Sequence, residues 1–175
     1  YLSTHDAKGI QIHHYASADI SCDLPSEQHI KLNMITEYPW QGLIRLKVME
    51  SGDSPWALSL RIPEWSQKTT LSINGKVVKE LSLEKGYLVL ERKCQAEDVI
   101  ELELRMEAMF VASNPRIDAT RGCSAIQRGP IVYCLEDKDQ EIKGRVLDVE
   151  NDKKKPLSTR WDGALLDWVM VVEAS

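Results

Sequence analysis

Hydrophobic and polar residues alternate with a period of two along much of the chain, which is the pattern of a β-strand with one buried face. The positions that share one face in four such stretches are Ile30, Leu32, Met34 and Thr36; Ile44, Leu46 and Val48; Leu58, Leu60 and Ile62; and Ile100, Leu102, Leu104 and Met106. Charged residues stand between them, as Arg45 and Lys47 do in the second stretch. Such alternation is typical of antiparallel sheets that turn one face to a core and the other to water.

Turn residues separate these predicted strands. Asn74-Gly75 stands between strands predicted at 70–73 and 76–78. Because both residues accept positive φ angles, they predict a hairpin with a type I′ turn. Pro63 is expected to end the strand at 58–62, since proline has no N–H to donate to a central ladder.

The remaining segments add strands rather than helices. Lys85-Gly86 precedes a strand predicted at 87–92, and residues 168–173 are predicted to form the last strand. No segment shows a convincing helical period. Short strands with turns between them are typical of sandwiches and barrels. The chain is therefore predicted to be all-β, an antiparallel β-sandwich of the jelly-roll-like kind.

A loop-like composition at residues 112–116 predicts a seam between two units. The prediction is a first β-sandwich over 1–110 and part of a second β-sandwich over 111–175, with the strands of the second unit beginning at Cys123. Residues 125–136 are more apolar than a one-sided strand needs, so they are predicted to be the central strand pair of the second sandwich, buried against the first sandwich or against a domain outside this chain. Gly129-Pro130 would form a bulge or bend within it.

Composition limits the classes of function. The 175 residues are 43% hydrophobic, which is enough for a buried core, and the net charge is −5. An acidic balance argues against a nucleic-acid partner, which needs a basic face to neutralise phosphates. The short basic run at 153–155 is interpreted as a solvated loop. No apolar run is long enough to span a membrane, so no membrane partner is expected.

The chain begins with Tyr1 rather than Met, and no signal peptide is visible. We therefore expect it to begin inside a longer polypeptide. Whether a targeting segment precedes Tyr1 stays open. The compartment, bacterial cytoplasm or exterior, stays open, and so does the oligomeric state.

Three stretches of the sequence together resemble one family. They are Leu60-Arg61-Ile62-Pro63-Glu64-Trp65 with the later Ser72-Ile73-Asn74-Gly75; Lys85-Gly86-Tyr87-Leu88 with the later Asp98-Val99-Ile100-Glu101-Leu102; and Asn114-Pro115-Arg116 with the later Arg121-Gly122 and Ala125-Ile126-Gln127-Arg128-Gly129-Pro130. In their order and spacing they are similar to the C-terminal region of glycoside hydrolase family 127, the β-L-arabinofuranosidase-like proteins. The resemblance covers about residues 9–136.

This resemblance implies that catalysis and the β-sandwiches belong to different domains. In the family a helical α/α toroid carries catalysis, and two β-sandwiches follow it. The resemblance places the nucleophilic cysteine and a zinc site with cysteine and glutamate ligands in that toroid, upstream of Tyr1. No catalytic residue, metal site or cofactor is therefore assigned to this chain, and zinc is expected only in the missing domain. The chain also stops where the second sandwich usually continues, which could leave that unit incomplete.

Three positions depart from the family pattern. Cys94 stands where tryptophan is expected, Glu97 where glycine is expected, and Arg105 where proline is expected. A glycine before Asp98 would suit a turn with positive φ, so Glu97 is expected to strain the backbone there.

Cysteine and histidine spacing does not favour a metal site in this chain. The widely spaced Cys22, Cys94, Cys123 and Cys134 lack the close pairs of zinc sites, so they are interpreted as separate small hydrophobic residues, with a disulfide left open. The adjacent His13-His14 would point to opposite faces of a strand, so one is expected to be packed and the other exposed.

Charged residues were candidates for sugar chemistry or for interdomain contacts. Glu101 and Glu103 are interpreted as a solvated strand face rather than the facing carboxyl pair of a glycosidase. Asp118, Arg121 and Arg128 flank the seam and are expected to form an interdomain ion pair, with sugar contact as the alternative.

Two tryptophans are candidate sugar-binding residues. Trp40 and Trp56 each follow a proline in a turn-like segment, where an indole ring could stack on a sugar. The favoured function is nevertheless an accessory region that packs on and stabilises a helical catalytic domain of the same polypeptide. The alternative is a carbohydrate-binding module with its own sugar affinity. The parent protein is expected to be a glycoside hydrolase, while enzymatic activity of this chain by itself stays uncertain.

Overall fold

The computed structural model describes residues 1–66, 68–135, 149–164 and 168–174. It divides the chain into two compact units, Tyr1–Met106 and Glu107–Ser175. The division falls at Met106, whereas the sequence placed the boundary at residue 110. Among the described residues, no helix is both long and apolar enough to cross a membrane.

The first unit is built from eleven strands in two sheets. They are β1 Ser3–His5, β2 Gly9–Ile12, β3 Ala18–Asp23, β4 His29–Thr36, β5 Leu43–Glu50, β6 Trp56–Arg61, β7 Thr69–Ile73, β8 Lys76–Val77, β9 Ser82–Glu84, β10 Tyr87–Arg92 and β11 Val99–Leu104. One sheet has the order β1-β2-β6-β10-β9, and the other has the order β3-β4-β5-β11-β7-β8. Every pairing is antiparallel except that of β2 with β6.

The core of the first unit confirms the predicted alternation. Ile30, Leu32 and Met34 of β4 are 0% exposed, as are Ile44 and Leu46 of β5. The same cluster of buried side chains includes residues of both sheets, so the two sheets form a sandwich around one core. Each such side chain contributes about 1.5–3 kcal/mol by leaving water.

Two tight hairpins follow from the predicted turn residues. Asn74 has φ 51° and Gly75 has φ 75°, and they join β7 to β8 as a type I′ turn requires. Lys85 and Gly86, with φ 49° and 83°, join β9 to β10 in the same way. β9 was not predicted because it is short and all its residues are exposed at a sheet edge.

Asp98 fastens the first hairpin to the start of β11. Its carboxylate accepts hydrogen bonds from the Gln95 backbone N–H at 2.9 Å and the Asn74 amide at 2.8 Å. The amide oxygen of Asn74 in turn accepts the Val99 backbone N–H at 2.8 Å. These donors, with the Gln95 N–H contributing most, lower the pKa of the largely buried Asp98 carboxyl.

The second unit consists of short strands. β12 Ala108–Ala112, β13 Ser124–Arg128 and β14 Ile131–Tyr133 form an antiparallel sheet in that order, and β15 Ser158–Asp162 pairs with β16 Val169–Glu173. A 3-10 turn, Asp118–Thr120, lies between β12 and β13. The expectation that the strands of the second unit begin at Cys123 was wrong, because β12 already pairs with β13.

The segment predicted as a central, buried strand pair differs from that prediction. Gly129, with φ 56°, lies in a hairpin turn rather than a bulge within one strand. Among the described strands, β14 is an edge strand, and its Val132 is 65% exposed. Residue 136 lies outside the described residues. Among the described residues the segment is therefore not buried on both faces, and its burial against a domain outside this chain stays a prediction.

Candidate functional site at the aromatic end of the first unit

Loops from both sheets of the first unit meet at one end of the sandwich. β2 and β6 run parallel and end there, and β10 begins there with Tyr87 opposite Arg61. In the other sheet, β4 ends where β5 begins, with Thr36 opposite Ile44. This is the same end of the sandwich, because Tyr15, which follows β2, contacts Tyr38, which follows β4. We call this region the aromatic end, after the aromatic side chains that its loops and strand ends carry: Tyr15, Tyr38, Trp40, Trp65 and Tyr87.

Tyr15 joins the two sheets at the aromatic end. Its buried hydroxyl donates to the backbone carbonyl of Arg61 at 2.6 Å. Its ring meets that of Tyr38 edge-on, with centroids 5.8 Å apart. Burial raises the pKa of the Tyr15 hydroxyl, which therefore stays protonated as a donor at any ordinary pH. Burial also raises the pKa of Tyr38, while the nearby Arg61 opposes that shift.

His13 is held in a hydrogen-bonded chain beside this pair. Its Nδ1 lies 2.8 Å from the Tyr87 hydroxyl, and its Nε2 lies 2.8 Å from the Thr4 hydroxyl. The Thr4 hydroxyl donates its proton to Gln11. His13 Nε2–H can then donate to Thr4, while Nδ1 accepts from Tyr87, so each of these polar groups has a partner.

The histidine pair therefore lies as expected, with His13 packed against Tyr87 and His14 exposed. Both ring nitrogens of His13 are occupied by protein partners. In the described parts of the chain, no group of three or more His, Cys, Asp or Glu side chains could hold a metal ion.

The two predicted sugar-binding tryptophans lie at opposite ends of the first unit. Trp40 is half-buried in the loop between β4 and β5, where its backbone N–H donates to Glu37. Trp56 begins β6 at the other end and is 2% exposed, with its indole N–H donating to Ser51 at 3.0 Å. Because the Trp56 ring is buried, a sugar cannot stack on it. Sugar binding therefore stays a prediction that rests on Trp40.

The predicted charged residues make local contacts. Glu101 pairs with Arg45 across the sheet at 2.8 Å and accepts from Ser72 at 3.3 Å. Asp118 and Arg121 pair with each other around the 3-10 turn, within the second unit. These two residues therefore have the expected structural use as a local ion pair, because their spacing of three brings the charges together, and an interdomain contact stays a prediction.

The cysteine thiols are all free. Burial raises the pKa of Cys94 and of Cys22, which keeps both as neutral thiols. A nucleophilic or metal-binding cysteine needs the opposite shift. Cys123 and Cys134 are exposed, so the interpretation as small hydrophobic residues fits Cys94 and not these two.

Comparison with protein families defines the class of the chain. Residues 9–106 match the model of the middle domain of GH127 β-L-arabinofuranosidases, and residues 108–169 match the C-terminal domain of glycoside hydrolase family 127. The chain therefore belongs to glycoside hydrolase family 127 and carries its middle and C-terminal β domains.

Individual relatives agree with this assignment. A non-reducing end β-L-arabinofuranosidase of Bifidobacterium longum subsp. longum is 38% identical over 108 residues, which are 59% of this chain and 16% of that protein. A solved GH127 β-L-arabinofuranosidase from Geobacillus stearothermophilus T6 is 29% identical, with a TM-score of 0.89 over 99% of this chain and 27% of that one. A second solved GH127 β-arabinofuranosidase is 27% identical, with a TM-score of 0.89, and 29% of its chain is covered.

These relatives are much longer than the segment they share with this chain. The chain spans 16% of the curated relative and less than a third of each solved one. The activity named for those proteins therefore belongs to chains of which this segment is a minor part.

Proposed function

We propose that this chain is the non-catalytic β region of a family 127 glycoside hydrolase, which packs on and stabilises a helical catalytic domain elsewhere in the same polypeptide. The observation that carries the proposal is the family match, since residues 9–169 are taken up by a middle and a C-terminal domain. A middle domain is one that another domain precedes in the polypeptide.

The hydrogen bonds of Glu101 and Asp98 support a structural role for these two acidic residues. A glycosidase needs two carboxyl groups facing each other across the sugar. Here Glu101 is tied to Arg45 and Ser72, and Asp98 is enclosed by donors from Asn74 and Gln95. Their hydrogen bonds hold strands and turns together and leave neither group open to a substrate.

The parent enzyme is proposed to act on β-L-arabinofuranosides, as its named relatives do. Zinc, if the parent uses it, would be bound in the catalytic domain. The alternative, a carbohydrate-binding module, has weaker support, because only Trp40 of its two candidate residues is accessible.

Hydrolysis of an aryl β-L-arabinofuranoside tests the proposal directly. We expect the isolated chain to show no turnover with or without added zinc, while the full-length polypeptide hydrolyses the substrate. We also expect the helical domain to unfold at a lower temperature when residues 1–175 are deleted. Turnover by the isolated chain that a point substitution within it abolishes would contradict the proposal, as would an unchanged unfolding temperature after the deletion.

A further inference from the structure

Among the described residues, one face of the three-stranded sheet in the second unit is mostly apolar and mostly exposed. In β12, Met109 and Val111 point to one side of the sheet, because successive side chains alternate. The strand register places Gln127 opposite Met109, Val132 opposite Gln127, and Ala125 opposite Val111. Directly opposite residues share a face. We call the five side chains together the open face.

The open face is accessible and carries no charge. Val132 is 65% exposed, Met109 is 40% exposed and Val111 is 36% exposed, and Ala125 is exposed as well. The polar member, Gln127, turns its amide to donate to the Gly129 carbonyl at 2.8 Å. The hydrogen-bonding capacity of this side chain is thus partly used within the hairpin.

The outward face of the larger sheet in the first unit is different. It alternates charged residues with the buried ones, as Lys31, Arg45, Lys47, Glu101 and Glu103 do on β4, β5 and β11. The outward face of this sheet therefore carries several charges beside its exposed Ile35 and Met49, whereas the open face carries none. Contiguous exposed apolar surface of this kind marks an interaction site.

The opposite face of the same sheet is already half-buried. Phe110, Ile126 and Tyr133 lie there in register, and each is partly covered. Apolar side chains therefore stand on both faces of the sheet, as in strands covered on both sides, although Ser124 and Arg128 also lie on the half-buried face. Phe110, Ile126 and Tyr133 are thus partly buried, while Met109, Val111, Ala125 and Val132 of the open face are exposed.

We propose that the open face docks the domain that precedes the middle domain in the same polypeptide, an inference that rests on the proposed function. More than two thirds of each solved relative lies outside the segment shared with this chain, so the parent has a large domain available. A face of valine, alanine and a flexible methionine fits the apolar side of packed helices. It has no aromatic ring on which a sugar could stack.

Methionine oxidation can locate the docking surface, with an internal control. Met109 on the open face is 40% exposed, and Met49 at the end of β5 in the first unit is 39% exposed. In the isolated chain, we expect dilute hydrogen peroxide to oxidise both at similar rates, because oxidation follows exposure. In the full-length polypeptide, we expect Met109 to be oxidised several-fold more slowly while Met49 is unchanged. Peptide mass spectrometry measures both sites in one sample.

Two valines with nearly equal exposure supply matched variants. Val132→Asp in the full-length polypeptide should restore rapid oxidation of Met109 and lower the unfolding temperature of the helical domain. Val77→Asp, at a position 63% exposed on edge strand β8, should leave both unchanged. Equal effects of the two variants would overturn the proposal, since they would reflect a general cost of the new charge.

The oxidation rates also separate this inference from the proposed function. Protection of Met109 in the full-length polypeptide that is independent of concentration supports docking within one molecule. Protection in the isolated chain that grows with concentration would assign the open face to a second copy and overturn the proposal. Rapid oxidation of Met109 in a polypeptide whose domains still stabilise each other would refute this inference alone. Loss of that stabilisation altogether would refute the proposed function.

Discussion

At the scale of single residues, Glu97 shows how one side chain can carry local strain. It has φ 75°, a left-handed conformation that glycine adopts freely and other residues adopt at a cost. Two backbone hydrogen bonds fix this geometry: Glu97 N–H donates to Val48 at 2.8 Å, and Val48 N–H donates to Asp98 at 2.9 Å. The side chain recovers little of the cost, because its ion pair with Lys47 is largely exposed.

Glu97→Gly should therefore stabilise the first unit relative to Glu97→Ala. Both variants remove the carboxylate that pairs with Lys47 at 2.7 Å, and only glycine relieves the left-handed backbone. We expect a difference of about 1–2 kcal/mol in the free energy of unfolding, the cost of that conformation for a residue with a Cβ. Urea denaturation of both variants measures it, and equal midpoints would show that the turn is not strained.

At the scale of elements, the hairpin between β7 and β8 depends on backbone conformation more than on packing. A Cβ built on Gly75 would meet no other atom within 4 Å, so added volume is not the obstacle there. The obstacle is φ 75°, which a β-branched residue adopts only under strain. Because Asn74 links this turn to Asp98 and Val99, distortion of the turn would reach the start of β11.

Gly75→Val should accordingly destabilise the first unit by about 1–3 kcal/mol, the cost of a strained backbone conformation. Lys76→Val is the control, since it places the same side chain one residue later, on the exposed strand β8. A lower urea midpoint for the first variant alone is the expected result. A midpoint equal to that of the parent chain would mean that the turn tolerates valine.

Elements also differ in how far the sequence predicts them. β4, β5 and β11 were predicted because their alternation reflects a single buried face, which local sequence records directly. β9 and β15 were missed because they are almost wholly exposed, and pairing alone makes them strands. The contact between Tyr15 and Tyr38 was also missed, since it requires that loops from two different sheets meet. Local sequence patterns do not show which loops of different sheets will contact each other.

At the scale of the whole molecule, hydrophobic burial is distributed unevenly between the two units. Among the described residues, the buried hydrophobic side chains of the second unit are Val169 and Met170, and all the others belong to the first unit. A small core stabilises a short domain only marginally. The open face adds exposed apolar surface to the same unit. The second unit is therefore the part of the chain that gains most from a docked neighbour.

This imbalance predicts different behaviour for the two units when they are separated after Met106. A polypeptide of residues 1–106 should fold alone and unfold cooperatively in urea, because the core shared by its two sheets lies within it. A polypeptide of residues 107–175 should show no cooperative transition, since few of its described side chains are buried to offset its conformational entropy. Tryptophan fluorescence reports on both, through Trp56 in the first unit and Trp161 and Trp168 in the second. A cooperative transition in the second polypeptide alone would show that its folding does not depend on a neighbour.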